Sequence, residues 1–234
     1  MAGTFYGIGV GPGDPELLTM KAVKALQKVD IIIAPRTEKK DGSVALDIAR
    51  PYLKETVRIV YQVFPMVKEF EKDTVAWEEN KKEILGFLNE GKNVAFLTLG
   101  DAMFYSTYIY VFRRLRQENV TIETIPGIPA FIAMGSHLGW PLVEGNDVLS
   151  VIPATAGVEK VRQVMEVSDN VVLMKVYKNF PEIAGLLEEK GMLDASVMVS
   201  RCGLPDEERI DDIAARKAQP VNYLSTILAR RRAQ

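Results

Sequence analysis

Residues 5–16 read Phe-Tyr-Gly-Ile-Gly-Val-Gly-Pro-Gly-Asp-Pro-Glu, and they indicate the fold class of the chain. Residues 5–10 predict a short strand that runs into a glycine-rich loop, and Asp14 predicts the start of a helix. The apolar residues of that helix recur on one face: Leu18, Ala22, Ala25 and Val29. A strand followed by a loop and an amphipathic helix is typical of α/β proteins.

The same alternation of strand and helix continues along the chain. Further strands are predicted at residues 30–35, 57–64, 93–99, 121–125, 148–152, 170–175 and 195–200. Helices are predicted from residue 44 to 50 and at 68–89, 104–117, 158–167 and 181–190, with one opening near Ala130 and a last one at 224–232. We therefore predict two α/β units, residues 1–118 and 119–234.

Composition excludes several classes of protein. Among 234 residues there are one histidine and one cysteine, and the net charge is −2. A disulfide framework needs pairs of cysteines, and a zinc site of nitrogen and sulfur ligands needs more than His137 and Cys202, so no metal is predicted. A near-neutral chain has no electrostatic footprint for nucleic acid. We also expect no membrane span and a cytoplasmic location, because neither a targeting segment nor a long apolar run is visible.

Four loops of small residues follow predicted strand ends, at Gly9, Gly100, Pro126 and after Ser200. In open α/β sheets, ligands bind beyond the carboxyl ends of the strands. The first loop lacks the G-x-G-x-x-G spacing of dinucleotide sites, and Pro12 removes an amide that could bind phosphate. Two interpretations of its glycines stay open, a turn that needs positive φ and a binding loop.

The loop after the strand at residues 93–99 contains Asp101, which has two possible roles. It could cap the following helix, or it could accept hydrogen bonds from a ligand's hydroxyl or amino groups. A carboxylate repels anions at short range, and no P-loop lysine is present. These features favour a neutral or cationic ligand over a phosphate.

Three segments carry a resemblance to a known family. Residues 9–19 read Gly-Val-Gly-Pro-Gly-Asp-Pro-Glu-Leu-Leu-Thr, residues 99–107 read Leu-Gly-Asp-Ala-Met-Phe-Tyr-Ser-Thr, and residues 125–131 read Ile-Pro-Gly-Ile-Pro-Ala-Phe. They resemble, in order and spacing, the signature blocks of the tetrapyrrole methylases. These enzymes transfer a methyl group from S-adenosylmethionine to corrin and porphyrin intermediates. The resemblance covers essentially the whole chain.

This resemblance implies two α/β domains with the cofactor cleft between them, and a homodimer. It implies S-adenosylmethionine as the cofactor, S-adenosylhomocysteine as its product, and no catalytic side chain that can be named. The implied cofactor-binding residues are Pro12, Leu99, Gly100, Asp101, Met103, Phe104, Ser106, Thr107, Pro129, Ala130, Phe131, Val176, Tyr177, Cys202, Gly203 and Leu204.

Within the family, residues 11–19 together with Pro35-Arg36 and Ser43-x-Ala45 are most similar to the precorrin-2 C20-methyltransferases of cobalamin synthesis. The implied substrate is precorrin-2 or cobalt-precorrin-2, a ring with many carboxylates. Arg36 and Arg201 are the leading candidates to bind them, because guanidinium pairs with carboxylate and each follows a strand end. The other candidates, each of which could equally be a surface charge, are Lys39, Lys40, Arg113 and Lys178.

Several alternatives stay open at this stage. A methylase of the same fold could act at another corrin carbon or on a diphthamide precursor, and a ribosomal RNA ribose is disfavoured by the negative net charge. A non-catalytic protein that senses the cofactor or a tetrapyrrole, and a nicotinamide oxidoreductase, are alternatives from other classes. His137 and Cys202 are interpreted as structural, since an electron-rich meso carbon can attack a sulfonium methyl group without a strong protein base.

Overall fold

A computed structural model describes residues 2–36, 42–64 and 74–231, and divides the chain into two compact units, Met1–Pro129 and Ala130–Gln234. The predicted division at residue 118 falls before the last strand of the first sheet. Residues 121–125 pair with the first strand of that sheet, so residues 119–129 belong to the first unit rather than to the second.

The first unit is a five-stranded parallel sheet with helices. Its elements are β1 (Thr4–Gly9), α1 (Met20–Leu26), β2 (Ile31–Arg36), α2 (Val44–Ala49), β3 (Arg58–Val63), α3 (Thr74–Asn89), β4 (Val94–Thr98), α4 (Tyr108–Leu115) and β5 (Thr121–Ile125). The strand order is β3-β2-β4-β1-β5, and every pair is parallel. All five residues of β4 are buried, as expected of a central strand with both faces covered.

The core of the first unit lies between the sheet and the helices α3 and α4. From α3, Trp77, Ile84 and Leu88 are buried at spacings that keep them on one face. They pack in one cluster with Phe96 of β4 and Tyr108 of α4. Aromatic side chains bury large areas, so burial of these rings stabilises the unit.

The first helix begins later than the sequence predicted. Asp14 caps a 3-10 turn at Pro15–Leu17, where its side chain accepts from the Glu16 amide at 2.8 Å. Thr19 is the N-cap of α1 and accepts from the Ala22 amide at 3.1 Å. The predicted start of the third helix, at residues 68–73, lies outside the described residues.

The second unit is a mixed sheet. Its elements are α5 (Ala130–Leu138), β6 (Leu149–Pro153), α6 (Val158–Val167), β7 (Asn170–Met174), α7 (Phe180–Glu189), β8 (Ser196–Ser200), β9 (Glu208–Ile210), α8 (Ile213–Arg216) and β10 (Ser225–Arg230). The order is β6-β7-β10-β8-β9, with β6 parallel to β7 and β10 antiparallel to both of its neighbours. The architecture of two α/β units is confirmed.

The predicted helix at residues 224–232 is wrong. Residues 225–230 are β10, the central strand of the second sheet, and five of its six residues are buried. Leu228, Ala229 and Arg230 have high helix propensity, but hydrogen bonding to strands on both sides overrides this weak preference. No helix of the described ranges is long and apolar enough to cross a membrane.

Candidate functional site

Three loops of the first unit lie at one edge of its sheet, because they follow the neighbouring parallel strands β1, β4 and β5. Gly11 and Gly100 join the first two loops by a pair of backbone hydrogen bonds. The Gly100 amide donates to the Gly11 carbonyl at 2.7 Å, and the Gly11 amide donates to the Gly100 carbonyl at 3.2 Å. The loops after β1 and β4 are therefore in direct contact.

The alternating glycines of the first loop are required by packing. A Cβ atom at Gly7 would lie 2.0 Å from Cζ of Tyr108, and one at Gly9 would lie 2.6 Å from the Gly127 amide nitrogen. A Cβ at Gly127 would lie 2.1 Å from the Gly100 carbonyl oxygen. Gly11, by contrast, has φ of 78°, which favours glycine for conformational reasons. The turn interpretation is therefore confirmed at Gly11, while close packing explains Gly7 and Gly9.

Asp101 connects the second loop to the third. Its Oδ1 accepts from the Met103 amide at 2.8 Å, and its Oδ2 accepts from the Gly127 amide at 2.9 Å. The first hydrogen bond stays within the loop after β4, and the second joins Asp101 to the loop after β5. Both carboxylate oxygens are therefore engaged in holding the edge of the sheet together.

The rest of the second loop presents apolar and aromatic side chains. Met103 and Tyr105 are each 44% exposed, and the Tyr105 ring packs edge-on against Phe104 at 4.7 Å between centroids. Ser106 is buried, and its hydroxyl donates to the Ala102 carbonyl. Thr107 is the N-cap of α4 but makes no capping hydrogen bond. The other implied residues of this unit are Pro12, which is buried, and Leu99 and Pro129, which are half-buried.

In the second unit, the carboxyl ends of β7 and β8 and the start of β10 share one edge of the sheet. Both strands run antiparallel to β10, which lies between them. This places two predicted segments on either side of β10, residues 175–177 and residues 201–204. Val176 and Cys202 are buried, while Tyr177 is half-buried.

Tyr223 lies at this edge and was missed by sequence reasoning. Its ring packs edge-on against Tyr177, with 5.0 Å between centroids, and the Lys178 ammonium lies 5.6 Å from the Tyr177 centroid. Burial raises the pKa of the Tyr223 hydroxyl, and the neighbouring Tyr177 raises it further. No motif surrounds Tyr223, and its contact with Tyr177 depends on β10 being a strand, which the sequence did not predict.

Cys202 and His137 are joined through Glu207, a second residue that the sequence did not single out. Glu207 accepts from the Gly203 amide at 2.6 Å, and His137 Nε2 lies 3.1 Å from Glu207 Oε1. Cys202 Sγ lies 4.0 Å from the Ala130 carbonyl oxygen, at the start of α5. Burial and the Glu207 carboxylate raise the pKa of the Cys202 thiol to about 12, so the thiol is protonated at neutral pH and suited to packing rather than attack.

Arg36 and Arg201, the predicted substrate residues, have different surroundings. Arg36 is exposed at the end of β2, with its guanidinium 5.7 Å from the Tyr61 ring centroid. Arg201 Nε lies 2.5 Å from Asp206 Oδ2, and this ion pair lowers the pKa of Asp206. Lys39 and Lys40 lie outside the described residues, whereas Arg113 and Lys178 are exposed. The described residues contain no group of three or more His, Cys, Asp or Glu that could hold a metal ion.

Comparison with known proteins shows the family. The tetrapyrrole (corrin/porphyrin) methylases match residues 4–215. A cobalt-precorrin-2 C(20)-methyltransferase of Salmonella typhimurium is 35% identical over 97% of this chain and 96% of its own length. A precorrin-2 C(20)-methyltransferase of a Sinorhizobium species is 33% identical over 97% of this chain and 94% of its own length.

The fold agrees with this match. A uroporphyrin-III C-methyltransferase of Thermus thermophilus, solved with S-adenosylhomocysteine, superimposes with a TM-score of 0.71 over 97% of each chain at 22% identity. The three signature blocks begin at the carboxyl ends of β1, β4 and β5. The chain therefore belongs to the tetrapyrrole (corrin/porphyrin) methylases.

Proposed function

We propose that this protein transfers a methyl group from S-adenosylmethionine to C20 of precorrin-2 or of its cobalt chelate, in cobalamin biosynthesis. The observation that carries the proposal is the similarity to two C20-methyltransferases at 35% and 33% identity along nearly the whole chain. One of these relatives is named for the cobalt-bearing substrate and the other for the metal-free one, so both forms of the ring belong to the proposal.

The residues at the edge of the first sheet suit a sulfonium cofactor. Neither lysine nor arginine occurs in residues 7–14, 98–107 or 126–129, so the loops lack the cationic groups of a phosphate site. They present the carboxylate of Asp101 and exposed apolar side chains at Met103 and Tyr105. Such a surface favours a cation with an apolar body over an anion.

Each unit contributes to the proposed cofactor site. In the first unit, Pro12, Leu99, Gly100, Asp101, Met103, Phe104, Ser106, Thr107 and Pro129 supply backbone groups and apolar walls. In the second unit, Ala130, Phe131, Val176, Tyr177, Cys202, Gly203 and Leu204 do the same, and Tyr223 joins them through its contact with Tyr177.

S-adenosylmethionine supplies an already activated methyl group, so this chain acts chiefly by binding and orienting its ligands. Correct orientation and exclusion of water account for about 7–11 kcal/mol of barrier in favourable cases. Loops held by glycine contacts and by Asp101 are suited to this task, because they cannot relax around a misplaced ligand. The ring brings its own carbon nucleophile, which agrees with a chain that has one histidine and one protonated cysteine.

We assign substrate carboxylates to Arg36 and Arg201. The Arg36 guanidinium is exposed and makes no ion pair within 4.0 Å among the described residues. It can therefore bind a substrate carboxylate without breaking an existing ion pair. Arg201 must exchange Asp206 for the substrate or bind it with its remaining nitrogens. We therefore expect Arg36→Ala to raise KM for the ring more than Arg201→Ala does.

The test is turnover with radiolabelled S-adenosylmethionine and precorrin-2, with and without chelated cobalt. We expect one methyl group per ring, located at C20 by NMR of the product. Gly86→Ala, on the exposed side of α3, is a matched control that should leave the rate unchanged. Methylation at another carbon would support the alternative of a related corrin methylase, and no methylation of either ring would refute the proposal.

The proposal extends to a cytoplasmic homodimer, as the family resemblance implies. The second unit exposes the apolar side chains of Ile132, Val143 and Val148, which a subunit interface would cover. Light scattering coupled to size-exclusion chromatography should give twice the chain mass of 26.1 kDa. A monomer at micromolar concentration would contradict this part of the proposal.

A further inference from the structure

We propose that Glu207 is a positioning residue that, together with His137, holds the loop Arg201–Leu204 in the shape that binds the cofactor. This inference rests on the proposed function, because it takes residues 202–204 as part of the cofactor site.

The Glu207 carboxylate contacts polar hydrogen-bonding groups from two different parts of the second unit. Its Oε2 accepts from the Gly203 amide at 2.6 Å, and its Oε1 lies 3.1 Å from Nε2 of His137 in the last turn of α5. A hydrogen bond with the Cys202 thiol contributes to the raised pKa of that thiol. Because the Glu207 side chain is only 20% exposed, these contacts are weakly screened by solvent.

The loop needs such a restraint because its backbone is strained. Arg201 has φ of 57° and Gly203 has φ of 75°, so two left-handed residues flank Cys202. A left-handed non-glycine residue persists only where its surroundings enforce it. The Arg201 amide donates to the Leu224 carbonyl, and the Leu204 amide donates to the Arg201 carbonyl, each at 3.0 Å. The Gly203 amide donates to the Glu207 carboxylate, which adds a side-chain restraint to these backbone bonds.

His137 is the second partner of the Glu207 carboxylate. Its Nε2 lies against Oε1, whereas the Gly203 amide donates to Oε2, so the two partners fix both oxygens of the carboxylate. Because the His137 side chain is 64% exposed, this contact should contribute less to affinity than the contact with the Gly203 amide.

The test measures binding of S-adenosylhomocysteine by calorimetry. Glu207→Ala leaves the Gly203 amide without its acceptor and should weaken binding by about 5- to 100-fold. Glu207→Gln keeps that acceptor and should bind within about three-fold of the wild type.

His137 is tested by a conservative and a non-conservative variant. His137→Gln keeps an N–H donor near Glu207 and should bind like the wild type, whereas His137→Ala removes the donor and should weaken binding by about two- to five-fold. Glu144→Gln, an exposed acid on a loop of the same unit, is the matched control and should bind like the wild type. A contact that only stabilised the fold would lower the melting temperature of the alanine variants without lowering the affinity of the folded protein.

The outcomes distinguish this inference from the proposed function. If the wild type binds no S-adenosylhomocysteine at either pH, the proposed function fails and the inference fails with it. If the wild type binds and the folded Glu207→Ala and His137→Ala variants bind as tightly, the inference alone is refuted. Because the His137 side chain is 64% exposed, His137→Ala keeps the test decisive even if Glu207→Ala does not fold.

Discussion

Replacing Gly7 with alanine tests whether the glycines of the first loop are required by packing. The added Cβ would lie 2.0 Å from Tyr108 Cζ and 2.4 Å from its Oη. Tyr108 is fully buried, and its hydroxyl lies 2.6 Å from Thr124 Oγ1. The ring cannot yield without disturbing the core or losing that hydrogen bond, so the substitution must destabilise the first unit.

The magnitude follows from two effects. Overpacking a well-filled core costs about 1–3 kcal/mol. Separating the Tyr108 and Thr124 hydroxyls, and leaving one of them buried and unsatisfied, costs about 1–3 kcal/mol more. The free energy of unfolding of the first unit should therefore fall by about 2–6 kcal/mol.

Tryptophan fluorescence during urea unfolding measures this change in one unit at a time. The chain has two tryptophans, and Trp77 lies in the first unit while Trp140 lies in the second. In a Trp140→Phe background, the signal reports on the first unit alone. Gly86→Ala is the matched control: its Cβ would meet open space on an exposed helical position, so stability should rise by about 0.5–1 kcal/mol.

A double variant identifies Tyr108 as the cause. Leucine lacks the outer ring atoms that the new Cβ would meet, so Gly7→Ala should cost at least about 1 kcal/mol less in a Tyr108→Leu background than in the wild type. If Gly7→Ala alone changes stability by less than about 0.5 kcal/mol, the packing argument for the loop is refuted.

Three further predictions concern the loops at the strand edges. Asp101→Asn turns one carboxylate acceptor into a donor that faces a backbone amide such as that of Gly127. The first unit should therefore lose about 1–3 kcal/mol of stability in urea titration. The exposed-site control Gly86→Ala should show no such loss. Tyr223→Ala should weaken binding of S-adenosylhomocysteine by about 2- to 10-fold through loss of the edge-on contact with Tyr177, whereas Tyr223→Phe should bind like the wild type; equal binding by all three would exclude Tyr223 from the site. Because burial raises the pKa of Cys202 to about 12, its alkylation by iodoacetamide at pH 8 should be at least about 100-fold slower than that of free cysteine and should accelerate only as the pH approaches 12 or the chain unfolds.

Strands with strong local signals were predictable from the sequence. Residues 121–125 were predicted as a strand and form β5 with the same bounds, because Thr and Ile favour extended backbone and Pro126 ends the run. The edge where the ligand loops meet was predictable for the same reason, since each loop follows such a strand. The order of strands in the sheets was not predictable from the sequence, and this order decides which loops are in contact.

The roles that sequence analysis did not predict depend mostly on contacts between distant parts of the chain. Gly7 is glycine because Tyr108 packs over it, and Gly9 because Gly127 approaches it. No local pattern distinguishes these positions from Gly11, which needs its positive φ. Likewise Glu207 has no motif around it, and its contact with His137 exists only in the folded second unit.

Backbone strain is concentrated in loops of the proposed cofactor site. All three non-glycine residues with positive φ in the described part of the chain lie in loops beyond strand ends: Tyr105, Lys175 and Arg201. Each costs about 1–3 kcal/mol, so neighbouring contacts must enforce them. The Asp101 and Glu207 carboxylates make such contacts with backbone amides, in the loops that hold Tyr105 and Arg201 respectively.

This distribution of polar groups accounts for a site with few titratable side chains. Asp101, Ser106 and Glu207 direct their oxygens toward the loops themselves, so their role is to fix backbone rather than to exchange protons. A rigid backbone surface can orient a cofactor and a large ring, and orientation is what displacement at an activated methyl group requires. Variants of these three residues should therefore lower the affinity for ligands and the stability of the loops, and they should leave the pH dependence of the chemical step, measured in single turnover, unchanged.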